Sequence, residues 1–232
     1  VTGRGVLVVG SSSPIGQAIT ASFADGGDTV VGVSLAGAAD LHLDCATDAG
    51  AQSAVRAVID RAGHLDVVVL AAAVMPVAPI TATTDAQWHA SFDAVLGTAF
   101  AVCRAAIPLL PRGSAIVAVS SVNATLAAPG LPAYAAAKAG LEGLVRQLAL
   151  EYGPHGISVN AVAPGYIDDG GNPDAAAGYP AGRTGRPHEV AAAVHFLAGA
   201  GFVTGAVLPV DGGLSIASPA AFLRDDLRAR WL

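Results

Sequence analysis

Concentrated positive charge is missing from this chain. Its 12 lysines and arginines stand against 18 aspartates and glutamates, giving a formal charge of −6 and a pI near 5.3. The arginines are scattered, so the electrostatic footprint of a nucleic-acid or anionic-membrane partner is absent, and a small-molecule ligand is expected instead. Cysteine is equally scarce: Cys45 and Cys103 are the only two, too few for a disulfide framework or a zinc set. The first residues carry no charged-then-apolar leader pattern, and a reducing, cytoplasmic setting is the expectation. His42, His64, His89, His155, His188 and His195 have no metal-ligand spacing, so no metal site is expected. Apolar runs such as 67–76 have strand length and are too short to cross a bilayer. Lysine is nearly absent, since eleven of the 12 basic residues are arginine and only Lys138 is not.

What the chain does contain is apolar residue in quantity, 53% of 232. That suits one large α/β domain over residues 1–232 with a sizeable core. Nearly continuous β-branched runs at 5–10, 29–34, 40–43, 66–71, 114–120, 157–161 and 206–210 predict about seven strands buried on both faces. Helical patterns at 14–24, 49–62, 85–110, 132–152 and 188–198 alternate with them. Repeated βα units imply a doubly wound parallel sheet of the Rossmann type, with ligands at the carboxyl ends of the strands. One long irregular stretch, at 168–186, has neither period.

Residues 8–19, VVGSSSPIGQAI, pass from strand through a glycine-bounded turn into helix, with Pro14 where phosphate cradles usually hold a middle glycine. Proline suits a first helical position, where an N–H would have no helical partner. Ser13 is then the N-cap, Gly10 allows the tight exit from the strand, and Ile15 and Gly16 present N–H groups to a pyrophosphate. The same pattern also fits an ordinary strand-turn-helix. Farther on, Tyr134 and Lys138 are four apart on one predicted helix face, and Ser121 lies thirteen before the tyrosine at a strand end. The isolation of Lys138 in an arginine-using chain points to a need for a compact ammonium.

The Ser, YxxxK and VDGG set, with GSSSPIG at 10–16, LDCATD at 43–48, LDVVVLAAAV at 65–74 and NAVAPGYID at 160–168, resembles the short-chain dehydrogenase/reductase family. The likeness is to its 3-oxoacyl reductase and ketoreductase members, with degenerate motifs, and covers nearly the whole chain. It implies hydride transfer between NADP or NAD and a ketone or secondary alcohol. Tyr134 would be the proton donor or acceptor, Ser121 the partner of the substrate oxygen, and Lys138 the ammonium that favours phenolate and holds the nicotinamide ribose. The implied cofactor contacts are Gly10, Ser12, Ser13, Ile15, Gly16, Ser34, Asp44, Ala71, Tyr134, Lys138, Pro164, Gly165 and Ile167. Ser34 stands where a carboxylate would reject a 2′-phosphate, which leans the choice to NADP although no arginine follows. Asp44 reads equally as an adenine contact or a turn aspartate.

The chain departs from the family pattern in several places. Leu70 to Ala73 replace the usual NNAG, Val95 aligns with the helix asparagine that completes the usual proton relay, and Asp169 replaces a threonine. Asn123 is the candidate stand-in for the lost asparagine. The substrate loop, about 166–186, looks shortened, and the tail at 214–232, with Phe222, Leu223, Leu227 and Trp231 along one side, is expected to pack over a neighbour's loop in a homodimer or homotetramer. Two other readings stay open. One is a non-catalytic nucleotide-binding or scaffold protein, and the other is non-redox chemistry at the Ser-Tyr-Lys site, such as halohydrin dehalogenation. That last branch usually pairs its tyrosine with arginine.

Overall fold

The computed structural model describes residues 3–168 and 173–230. Seven parallel strands lie in the order β3-β2-β1-β4-β5-β6-β7. They are β1 (Gly5–Val9), β2 (Thr29–Ser34), β3 (Leu41–His42), β4 (Val67–Leu70), β5 (Ala115–Val119), β6 (Ser158–Pro164) and β7 (Val207–Val210). The helices are α1 (Pro14–Asp25), α2 (Asp48–Ala62), α3 (Asp85–Phe92), α4 (Thr98–Ala106), α5 (Pro132–Tyr152), α6 (Pro187–Gly199), α7 (Pro219–Leu223) and α8 (Asp225–Arg228). The expected strands are all present, but β3 is only a two-residue pairing and β6 runs three residues past the expected end at 161.

Strand residues alternate between two cores. Leu7, Val9, Val31, Val33, Val68, Leu70 and Ile116 meet Val55, Val58, Val102, Leu141 and Val145 on one face. Val6, Val8, Val67, Val69, Val117 and Val162 meet Ile19, Phe23, Val190, Val194 and Leu197 on the other. Burying each such side chain is worth roughly 1.5–3 kcal/mol, and covering both faces with helices is what lets every strand be apolar throughout. The order of the strands reverses between β1 and β4, so their carboxyl ends diverge there and leave a crevice.

The helix expected over 85–110 is not one piece. After α3 the chain takes a wider i→i+5 turn over Asp93–Gly97, where the Thr98 hydroxyl donates to the Asp93 carbonyl, and then resumes as α4. By length and composition alone the run Asp85–Leu109, which holds an 18-residue window of mean hydropathy 1.5, is long and apolar enough to cross a membrane. Here it packs instead: α3 lies against α5, α4 lies against α2, and Arg104 pairs with Asp48 on α2 at 2.7 Å.

The tail also differs from expectation. Ser218 and Pro219 do open a helix, but the backbone is extended at Arg224 and splits the segment into α7 and α8. Phe222 and Leu223 line a groove of this same chain, and Leu223 stays 81% exposed. Trp231, like Asp169, lies outside the described residues.

Candidate functional site

The crevice between β1 and β4 opens into a cleft of about 680 Å³. Its walls include Gly10, Ser12 and Ser13 after β1, Ser34 and Leu35 after β2, Asp44 and Cys45, Ala71 to Val74 after β4, and Asp93. Gly10 has φ +89°, and a Cβ there would sit 2.5 Å from the Ala72 nitrogen, so glycine alone lets this turn pass beside β4. Ser13 is the N-cap of α1 and Pro14 its first residue. The expectation for Gly16 is corrected: its N–H donates to Ser13 Oγ at 3.0 Å. A Cβ on Gly16 would lie 2.2 Å from the Gly10 carbonyl oxygen. Gly16 therefore keeps the turn closed. Ser12 N–H is likewise taken, donating to Ser34 Oγ at 3.0 Å. With proline at 14, this leaves Ile15 to present an N–H at the helix start.

Asp44 both lines the cleft and accepts from Ala46 N–H at 3.0 Å, so the turn role is real and the adenine edge is open to it. Pro164 ends β6 inside the sheet, and Gly165 N–H donates to the Val210 carbonyl. Gly165 leaves room for Tyr179, whose hydroxyl would be 3.0 Å from an added Cβ. The Tyr179 hydroxyl in turn accepts from Tyr166 N–H at 2.7 Å, and Ile167 bridges to Gly185. Tyr179 thus packs against the end of β6 and holds Tyr166 there. None of Pro164, Gly165 and Ile167 is among the cleft's lining residues.

The structure brings Ser121, Tyr134 and Lys138 together. Ser121 follows β5 and lies beside the Tyr134 phenol, which rises from α5. Lys138 lies one turn along α5, 2% exposed, with Nζ 2.5 Å from the Val119 carbonyl oxygen and 5.6 Å from the centre of the Tyr134 ring. Burial draws its pKa down from 10.5 to about 7. Burial also pushes the Tyr134 phenol up, while the Ser121 hydroxyl beside it pulls the other way. This corrects one expectation, because in the chain itself desolvation, and not an ammonium beside the phenol, dominates Tyr134. The phenol is accordingly held protonated at neutral pH.

Val95 is 3% exposed within the apolar core and supplies no polar group toward Lys138. Asn123 does not reach that position either. Its N–H donates to Ser121 Oγ at 3.1 Å, its Oδ1 lies 3.4 Å from the same hydroxyl, and its Nδ2 donates to the Leu126 carbonyl. Asn123 therefore orients Ser121 rather than replacing a relay asparagine.

One buried pair escaped the sequence reading. Ser120 Oγ donates to Glu142 Oε1 at 2.7 Å, with both residues buried. Together with the Lys138 contact to Val119, it fixes α5 to the end of β5 at two points, holding Tyr134 against Ser121. Its signal was available, since Glu142 is one helical turn past Lys138 and Ser120 adjoins Ser121.

Comparison with known proteins agrees with this arrangement. The model of a family described as enoyl-(acyl carrier protein) reductase matches residues 9–215. The chain is 39% identical to the cis-4-hydroxycyclohexanecarboxylate dehydrogenase of Sinomonas cyclohexanicum, over 90% of this chain and 96% of that one. Among solved structures, ligand-free aldohexose dehydrogenase of Thermoplasma acidophilum superposes with a TM-score of 0.87 at 31% identity, covering 94% of this chain and 96% of that one. A blue fluorescent protein from a metagenomic library, solved with NADPH, superposes with a TM-score of 0.85 at 28% identity, covering 92% and 98%. With its seven-stranded sheet, its β1 turn and its Ser-Tyr-Lys cluster, the chain belongs to the short-chain dehydrogenase/reductase family of nicotinamide-dependent oxidoreductases.

Proposed function

We propose that this oxidoreductase interconverts ketones and secondary alcohols with Ser121, Tyr134 and Lys138 as its catalytic residues. The observation that carries the reading is the buried Lys138 amine, 5.6 Å from the centre of the Tyr134 ring and bonded to the Val119 carbonyl, with Ser121 beside the phenol just past the end of β5. The cleft suits a dinucleotide. Gly10 keeps the turn flat, the Ile15 N–H at the start of α1 would meet a pyrophosphate, and Ser34 and Asp44 border the adenosine end. When bound, the nicotinamide supplies or accepts the hydride.

The chain's own residues handle the proton. In reduction, the protonated Tyr134 gives its hydrogen to the carbonyl oxygen while the Ser121 hydroxyl steadies the charge developing there. Lys138 would hydrogen-bond the ribose hydroxyls with the N–H groups not committed to Val119. Burial raises the Tyr134 phenol, so the acid form that reduction needs is the one present at neutral pH.

Two features of the cleft bear on NADP against NAD. No carboxylate at Ser34 turns away a 2′-phosphate, which favours NADP. No lysine or arginine is among the cleft's lining residues either, while Asp44 and Asp93 are. These act in opposite directions, and the site we propose takes both cofactors with similar affinity. Titration with NADH and NADPH tests this: dissociation constants within about tenfold, or about 1.4 kcal/mol, are expected, and a separation of a thousandfold would contradict it.

The rival reading, a scaffold that kept the fold, draws on Val95 and on Ala71 to Ala73. It leaves Lys138 unexplained. A lysine buried to 2% exposure weakens the fold by its desolvation, and a scaffold has no need of it. Lysine rather than arginine after Tyr134 also opposes the dehalogenation reading.

A further inference from the structure

Next to Ser121 the surface falls into a groove of about 520 Å³. One wall comes from the segment after β5, through Val122, Asn123, Leu126, Ala127 and Ala128, and the other from Gly178 and the tail, through Leu214, Ala217, Pro219, Phe222 and Leu223. Asn123 is the only polar side chain in that set, and it is occupied with Ser121 Oγ and the Leu126 carbonyl. Among the described residues no lysine, arginine or histidine lines the groove. The cations nearest in sequence are engaged elsewhere, Arg183 with Glu189 at 2.6 Å and Arg224 with Asp226 at 2.7 Å.

We infer that the substrate of this site is an uncharged, apolar ketone or secondary alcohol, and that the groove excludes carbonyl compounds bearing a carboxylate or phosphate. The inference rests on the oxidoreductase reading above and deepens it. An anion placed in such a groove sheds water and finds no partner, whereas an alicyclic or alkyl body fills it favourably. With a nicotinamide cofactor bound, the step would balance: the cofactor would supply the hydride to the carbonyl carbon and be oxidised in doing so, the carbonyl oxygen would take the Tyr134 proton, and a secondary alcohol would leave.

The test uses two ketones of one shape, 4-methylcyclohexanone and 4-oxocyclohexanecarboxylate, with the 232-residue chain and NADH or NADPH. The neutral ketone is expected to have a kcat/KM at least a hundredfold above the anionic one. Values within threefold, or a preference for the carboxylate, would overturn the inference. Leu126→Arg, at a position 37% exposed on the groove wall, is the second arm. It should narrow the gap by tenfold or more by giving the carboxylate a partner, and an unchanged gap would count against the groove as the substrate site. If neither ketone turns over, thermal protection of the cofactor-loaded protein decides between the readings. Protection by the neutral ring alone keeps the groove assignment and defeats the oxidoreductase proposal, while protection by the carboxylate, or by neither, defeats the groove assignment.

Discussion

Replacing Lys138 with methionine should make the fold's stability less dependent on pH and abolish activity. Methionine nearly matches the aliphatic stem in volume, so the core around α5 and β5 stays filled. In the wild type, burial lowers the amine from 10.5 to about 7. Below pH 7 the ammonium is present in folded and unfolded chains alike, and the native state bears the full desolvation cost. Between pH 7 and 10.5 the native state sheds the proton while the unfolded chain keeps it, so the unfolded state binds more protons and native stability rises with pH. Integrated from about pH 6 to about pH 9, this contributes roughly 2–3 kcal/mol to the wild type and nothing to Lys138→Met. The variant also leaves the Val119 carbonyl without its Nζ partner, at about 1–3 kcal/mol that does not vary with pH. Urea unfolding of both proteins at several pH values is the assay. The stability difference should move toward the wild type as pH rises, and a difference constant from pH 6 to 9 would refute the buried-amine argument.

Three further outcomes follow from the same geometry. Gly16→Ala should weaken cofactor binding at least tenfold and lower the melting temperature, because its Cβ would meet the Gly10 carbonyl oxygen at 2.2 Å, whereas Pro14→Gly should keep affinity within a few-fold because Ile15 N–H is unchanged; calorimetric titration checks both. Val95→Asn should give no gain in turnover and should destabilise the fold by about 1–3 kcal/mol, since the amide would be buried among apolar side chains; denaturant unfolding with steady-state kinetics decides it. Alcohol oxidation should accelerate as pH rises above 7 and continue upward toward 10, because Tyr134 is held protonated by burial and oxidation needs its phenolate, and a flat oxidation profile would remove Tyr134 as the base.

The sheet was legible in the sequence because a strand buried on both faces has a distinct composition. Val6 to Val9 and Val67 to Leu70 are apolar without a break, and each stands where the reading placed it. Ser13 as N-cap and Pro14 as first helical residue followed from local rules alone. Helical spacing put Tyr134 and Lys138 on one face, while the placing of Ser121 beside them came from the family resemblance of the Ser and YxxxK set. What was not visible depends on contacts between distant segments. The break at Asp93–Gly97 leaves the helical period of apolar residues almost unchanged, so 85–110 read as one helix. The capture of Gly16 N–H by Ser13 is a matter of turn geometry. Tyr179, whose hydroxyl pins Tyr166, sits in a stretch with no period at all. The lowered Lys138 and raised Tyr134 follow from burial depth, which spacing does not report.

The central claim, that Tyr134 gives its proton to a substrate oxygen during hydride transfer, is tested most directly by following nicotinamide absorbance near ~340 nm with 4-methylcyclohexanone in the wild type and in Tyr134→Phe. The variant keeps the ring and loses only the hydroxyl. It should bind NADH and NADPH as the wild type does and lose about a hundred- to ten-thousand-fold in turnover, the usual worth of general acid catalysis. Equal turnover in the two proteins, or cofactor bound with no oxidation in either, would contradict the account.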